Sequence, residues 1–92
     1  MASNMLEEII QAYSDESFIA YDGLEGALLG VCPNTMRLIY SVGTIIEILM
    51  EQGMSDEEAL EYYGHNIECA YMGDKTPILC DDTFSSDEHF NN

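Results

Sequence analysis

Basic side chains are almost missing from this sequence. Its only Lys or Arg residues, Arg37 and Lys75, stand against 18 Asp and Glu residues, for a formal net charge of −16 at pH 7. Phosphate binding needs a basic patch, so this composition excludes nucleic acid as a direct ligand, and it excludes an anionic membrane surface for the same reason. A basic surface on a partner is the natural complement, and such an encounter is fast and salt-sensitive. The alternative is that the charge serves solubility or adaptation to a salty environment.

Long apolar runs and cysteine pairs are also missing. No apolar segment approaches the ~20 residues that a membrane-spanning helix needs. Cys32, Cys69 and Cys80 are odd in number and form no Cys-x-x-Cys pair. Residues 1–5 have neither the basic nor the apolar region of a secretory signal, so a reducing cytosol is the expected compartment.

Residue types that support chemistry are present, but without the required spacing. His65 and Cys69 stand four apart on a helical pattern, yet the second close ligand pair of a typical zinc site is missing. The segment Gly23-Leu24-Glu25-Gly26 has neither the spacing nor the lysine of a phosphate-binding loop. Carboxylates are so abundant that any catalytic pair drawn among them carries no signal. We therefore predict no enzymatic activity, no catalytic residues, no metal and no cofactor.

The hydrophobic pattern predicts one small α+β domain at residues 1–80, followed by an acidic, flexible tail at residues 81–92. Helical periodicity or capping signals occur at residues 4–13, 43–52 and 55–73, with Asn4 as the first cap and Ser55 with Glu58 as a capping box. Apolar runs at 27–32 and 37–42 flank a Pro-Asn turn and predict a hairpin, and residues 76–80 predict an edge strand. The expected order is α-β-β-α-α-β, with a short antiparallel sheet packed against helices.

The tight connection at Gly53 places the second and third helices against each other. We expect Leu49, Leu60, Tyr63 and Ile67 to be buried together there. On that register, replacing Leu60 with Ala costs about 2 to 5 kcal/mol of stability.

A group of short motifs follows this connection. They are Gly-Met-Ser-Asp-Glu-Glu-Ala-Leu-Glu-Tyr-Tyr at residues 53–63, then Asn66-Ile67, Ala70-Tyr71-Met72-Gly73 and Thr76-Pro77-Ile78, with weaker matches at Gly30 and Leu38-Ile39-Tyr40. The pattern resembles a family of small uncharacterised acidic proteins encoded by bacteriophages. The resemblance covers roughly residues 27–80 and omits the first helix and the tail. It implies a phage accessory protein in the host cytoplasm, of a kind that often looks like an inhibitor of host defence or transcription, and it implies no catalytic residue.

Acidic residues at helical spacing are the main candidate site. We call them the acid stripe, and they are Glu47, Glu51, Glu57, Glu61 and Glu68. Neither cation lies four residues after any member of the stripe on the third helix, so these acids are not placed for helix-stabilising ion pairs. Glu57 and Glu61, four residues apart on a helix, are separated by about 6 Å along the axis, similar to the separation of successive phosphates in a nucleic-acid strand. Favourable contact with the helix macrodipole explains Glu57 but not the other four. Asp81 and Asp82 extend the negative surface in the tail.

Two functions remain open at this point. The first is a phage protein that inhibits a host nucleic-acid-binding protein, such as a CRISPR effector, restriction enzyme or polymerase, by mimicking nucleic-acid charge. The second is an interaction module or small regulator that binds through an apolar Tyr and Met patch, as a homodimer. Tyr62 and Met72 are anchors for such a patch if they are exposed, and the alternative is that they pack on the first helix.

Overall fold

The computed structural model describes residues 5–84 of the chain. Three α-helices, three strands, one 3-10 turn and one π-helical turn alternate along these residues. They are α1 (Met5–Ala12), the 3-10 turn (Glu25–Ala27), β1 (Leu28–Cys32), β2 (Arg37–Ser41), α2 (Val42–Glu51), α3 (Asp56–Tyr63), the π turn (Gly64–Glu68) and β3 (Ile78–Cys80). The α+β class and the order of helices and strands are confirmed. Asn4, the predicted first cap, lies outside the described residues.

The sheet has the order β1-β2-β3 and is mixed rather than antiparallel. β1 and β2 form the predicted antiparallel hairpin, with Leu28 opposite Tyr40 and Cys32 opposite Arg37. β3 pairs parallel with β2, so the prediction of an entirely antiparallel sheet is wrong for this strand. The reason is the connection: α2, α3 and the π turn carry the chain across the domain, and such a long crossover returns a strand in the same direction.

The core lies between the sheet and α2. Leu38 and Tyr40 on β2 and Ile45 on α2 are fully buried, and Leu49 extends the same apolar face of α2. Ile9 is the buried residue that α1 contributes to this cluster. The core therefore places α2 centrally and leaves one face of α3 open to solvent.

The register of α3 differs from the prediction at one residue. Leu60 is 52% exposed, whereas Ala59 is fully buried and Ile67 is also buried. Ala59, Tyr63 and Ile67 are spaced by four, and the wider π turn keeps the last of them on the inward face. The expected burial of Leu49 and Ile67 is confirmed, Tyr63 is partly buried against the core, and the expected burial of Leu60 is wrong.

The predicted start of α3 is confirmed. The Ser55 N–H donates to Glu58 Oε1 at 2.9 Å, and the Glu58 N–H donates to Ser55 Oγ at 3.1 Å. Gly53 adopts φ = +109°, a conformation that glycine accepts without strain. The helical segment ends earlier than predicted, since the π turn closes at Glu68 and residues 69–73 are not helical.

Candidate partner-binding surface

All five carboxylates of the acid stripe are exposed to solvent. Within residues 5–84, none of them accepts a hydrogen bond or pairs with a cation. The negative charge of the stripe is therefore not neutralised by any group that the structure describes.

Both cations of the chain are engaged away from the stripe. Arg37 donates from Nε to the Thr76 carbonyl oxygen at 2.6 Å, just before the start of β3. Lys75 pairs with Glu16 at 3.2 Å, and its Nζ lies 5.5 Å from the centroid of the Phe18 ring. These contacts tie the segment that follows α1 to the segment that precedes β3. The cations therefore serve the fold at one corner of the sheet and leave the stripe unscreened.

The structure brings Glu68 and Asp81 towards the same phenol. Burial raises the pKa of Tyr63 to about 12, and the charges of Glu68 and Asp81 add to the rise. Glu68 Oε1 lies 4.0 Å from where a Cβ would stand at Gly64, so this side chain folds back over the glycine. Glu68 and Asp81 are therefore both close enough to the Tyr63 phenol to influence its ionisation.

Asp82 has a structural contact that the sequence did not indicate. Its Oδ2 accepts a 2.6 Å hydrogen bond from Ser41 Oγ, and its Oδ1 accepts one of 2.9 Å from the Gly43 N–H. The bond from Ser41, with a smaller contribution from Gly43, lowers the pKa of Asp82. The carboxylate lies at the N-terminus of α2, where negative charge is favourable. Asp82 therefore joins the segment after β3 to the start of α2.

Part of the predicted flexible tail is accordingly held by hydrogen bonds. Besides the contacts of Asp82, Asp81 Oδ1 accepts hydrogen bonds from the Thr83 N–H at 3.2 Å and from Thr83 Oγ1 at 2.6 Å. Residues 85–92 of that tail lie outside the described residues. A role of Asp81 and Asp82 in partner binding stays a prediction.

Tyr62 and Met72 are exposed rather than packed on α1. Tyr62 is 43% exposed, and Met72 is exposed to a similar extent. Two neighbours that were not predicted as site residues are more open still, since Leu60 is 52% and Tyr71 is 79% exposed. The sequence contained a signal for the exposure of Tyr71, because Gly73 and the turn residues after it end the helical pattern close to this tyrosine.

A shallow groove runs along the open side of α3. We call it the α3 groove, and it has a volume of about 350 Å³. A second hollow of about 220 Å³ lies beside it, and Tyr62 and Asn66 line both. The residues that line the α3 groove are Met54, Glu58, Glu61, Tyr62, His65 and Asn66.

The second hollow borders an unusual pair of tyrosines. Tyr21 lines it and packs edge-on against Tyr40, with 4.9 Å between ring centroids and 63° between ring planes. The Tyr40 hydroxyl accepts a hydrogen bond from the Tyr21 N–H at 3.1 Å. The Tyr21 hydroxyl itself is buried and has no hydrogen-bond partner in the described part of the chain. Burial raises the pKa of Tyr21 above its usual value.

Groups that could hold a metal ion were sought among residues 5–84, and no three His, Cys, Asp or Glu side chains there are arranged to do so. The same residues contain no helix with the length and apolar character needed to cross a bilayer. His65 and Cys69 are both exposed. What the described surface offers chemically is a set of open carboxylates beside exposed aromatic and thioether side chains.

Comparison of the chain with protein families, with curated proteins and with solved structures gave no match.

Proposed function

We propose that this protein binds a basic surface of another macromolecule through the acid stripe, whose carboxylates stand in for nucleic-acid phosphates. The observation that carries the proposal is the separation of charge. Five exposed carboxylates have no cation partner within the described chain, while Arg37 and Lys75 are both bound to groups outside the stripe. A basic partner supplies the cations that this chain does not place near its own acids.

The partner class that fits best is a nucleic-acid-binding protein of a bacterial host, such as a CRISPR effector, a restriction enzyme or a polymerase. Such proteins carry a basic channel, and occupying it blocks their substrate. The resemblance to phage-encoded acidic proteins supports this choice, and it implies an encounter in the host cytoplasm. Binding of this kind is inhibition by competition and needs no chemistry from the inhibitor.

Affinity capture from a bacterial lysate, at low and at high salt, tests the proposal. Exposed charge pairs are screened by salt, so a nucleic-acid-binding protein is expected to be retained at low salt and released at high salt. Recovery of no such protein at either salt contradicts the proposal.

A charge-matched pair of variants sharpens the test. Replacing Glu61 and Glu68 with Gln is expected to weaken capture at low salt and to leave stability unchanged or slightly raised, because like-charge repulsion is relieved. The control removes the same charge elsewhere, through Glu8→Gln with Asp15→Asn, at two exposed positions outside the stripe. Equal weakening by both double variants would show that net charge, rather than the stripe, sets the affinity.

A second candidate function follows from the exposed apolar side chains. Leu60, Tyr62, Tyr71 and Met72 are all exposed on α3 and the segment after it. A patch of this kind suits a homodimer or an apolar partner, with the charge serving solubility. This reading predicts association that is nearly indifferent to salt, and sedimentation equilibrium of the purified protein at two salt concentrations separates it from the first.

A further inference from the structure

We propose that the α3 groove receives an arginine side chain of the basic partner. This inference rests on the proposed function and deepens it, because it names the chemical group that one part of the surface recognises. The groove places Glu61 of the acid stripe, together with Glu58, beside apolar side chains. Met54, which is packed against the core, and the partly exposed ring of Tyr62 supply this apolar lining.

Helical spacing explains why these side chains meet. Glu58, Glu61, Tyr62, His65 and Asn66 follow one another at intervals of three and one along α3 and the π turn, which places them on one face. This face points away from Ala59 and Ile67, the residues that pack inward. Asn66 is held in place by a 3.2 Å hydrogen bond from its Nδ2 to the Tyr62 carbonyl oxygen.

Two carboxylates are available at the rim of this face. Glu61 is exposed and has no hydrogen bond or ion pair within residues 5–84. Glu58 uses Oε1 in the capping box, and the described residues place no partner on its Oε2. Both carboxylate oxygens of Glu61 and Oε2 of Glu58 are therefore without a cation at the groove.

Arginine matches this combination better than lysine. Its planar guanidinium stacks on an aromatic face, carries five N–H donors for carboxylate oxygens and is more weakly hydrated than an ammonium group. Its aliphatic stem covers apolar surface such as Met54 and the Tyr62 ring. A second copy of this chain is a poor occupant, because it would bring Glu58 and Glu61 against further carboxylates of a protein with a net charge of −16.

The test is an amide NMR titration with the peptide acetyl-Gly-Gly-Arg-Gly-Gly-amide. The largest shift changes are expected at Met54, Tyr62 and His65. A peptide with citrulline, the uncharged isostere of arginine, is expected to cause no shift changes. A peptide with lysine is expected to cause smaller shift changes than the arginine peptide. Equal changes with arginine and citrulline, or changes centred away from the groove, overturn the inference.

Variants locate the site. Glu61→Gln is expected to weaken binding of the arginine peptide by about 1.4- to 5-fold, the range for one exposed charge pair. Glu57→Gln removes the same charge from the same helix outside the groove, and it is expected to weaken binding less. Tyr62→Ala is expected to lose about 2- to 5-fold, as for an exposed cation–π contact, and Tyr62→Phe to retain the affinity. Equal losses for the two glutamine variants, or for the two Tyr62 variants, overturn the inference.

The peptide titration and the lysate capture fail independently. An arginine-selective shift in the groove, without capture of any nucleic-acid-binding protein, supports the groove and contradicts the proposed function. Salt-sensitive capture without arginine selectivity in the groove does the reverse.

Discussion

Removing the Asp82 carboxylate is expected to destabilise the protein through the start of α2. The side chain accepts hydrogen bonds from Ser41 Oγ and from the Gly43 N–H, 41 and 39 residues earlier in the chain. Ser41 keeps its contacts with Thr44 when Asp82 is replaced, and the exposed Gly43 N–H can form a hydrogen bond with water instead. We therefore expect Asp82→Ala to cost about 1 to 2 kcal/mol, the range for a lost helix cap with its charge.

Gly43 supplies an internal check on this geometry. A Cβ at Gly43 would stand 3.1 Å from Asp82 Oδ1, so Gly43→Ala pushes on the contact in the native protein. In the Asp82→Ala background that obstacle is gone, and Gly43→Ala should stabilise by about 0.5 to 1 kcal/mol through helix propensity. Urea denaturation of the native protein, the two single variants and the double variant, monitored by circular dichroism, gives the coupling energy between the two positions. Effects that add to within about 0.3 kcal/mol would show that Asp82 does not contact α2 in solution.

The contribution of Asp82 also has a defined pH dependence. The pKa of this carboxyl is lowered in the folded protein by the bond from Ser41 and then by that from Gly43. Its stabilisation is therefore complete above the unfolded-state value of about 3.9, and it is lost as the pH falls through the lower folded-state pKa. The difference in stability between the native protein and Asp82→Asn, whose amide does not titrate, isolates this effect from the other carboxylates. A difference that grows on acidification below pH 4 would contradict the sign.

Three further predictions concern the core and α3. Tyr21→Phe should leave the stability unchanged or raise it, since it removes a buried hydroxyl without a described partner. Tyr40→Phe should cost about 1 to 3 kcal/mol, because it leaves the Tyr21 N–H unpaired. A larger loss of stability for Tyr21→Phe than for Tyr40→Phe in urea denaturation would contradict this. Leu60→Ala should cost about 1 kcal/mol at most, against about 2 to 5 for the buried Leu49→Ala, and equal losses would return Leu60 to the core. Ultraviolet titration should show Tyr63 ionising near pH 12, with its stabilisation complete below the unfolded value of about 10 and lost as the pH rises towards 12. Its ionisation at about 10 would place the ring in solvent.

Features with signals confined to a few neighbouring residues were predictable from the sequence. The capping box at Ser55 and Glu58 and the hairpin between β1 and β2 are both confirmed. In both cases the interacting groups are close in sequence, three residues apart in the capping box and joined by one short turn in the hairpin, so residue types and spacing decide the outcome. The exposure of the acid stripe was predictable for a similar reason, because solvation of a carboxylate outweighs most packing alternatives.

Features that depend on distant contacts or on the type of helical turn were not predictable. The parallel pairing of β3 depends on where the crossover returns the chain, and the Asp82 contact joins positions 41 residues apart. Leu60 was placed inside because an uninterrupted α-helix was assumed. The buried face of α3 instead carries the small Ala59, and the π turn alters the spacing after Tyr63.

The positions of Glu51 and Glu68 are difficult to explain by stability alone. Each is the last residue of its helical element, Glu51 of α2 and Glu68 of the π turn. Exposed carbonyl groups make that end negative, so a carboxylate is unfavourable there and a lysine would be favourable. Neither side chain pairs with a cation within the described residues, and Arg37 and Lys75 are committed elsewhere. Solubility does not require acids at these two helix ends, because any exposed position would provide the same net charge. The two carboxylates therefore cost the isolated chain some stability. Contact with a basic partner would offset this cost, in keeping with the proposed function.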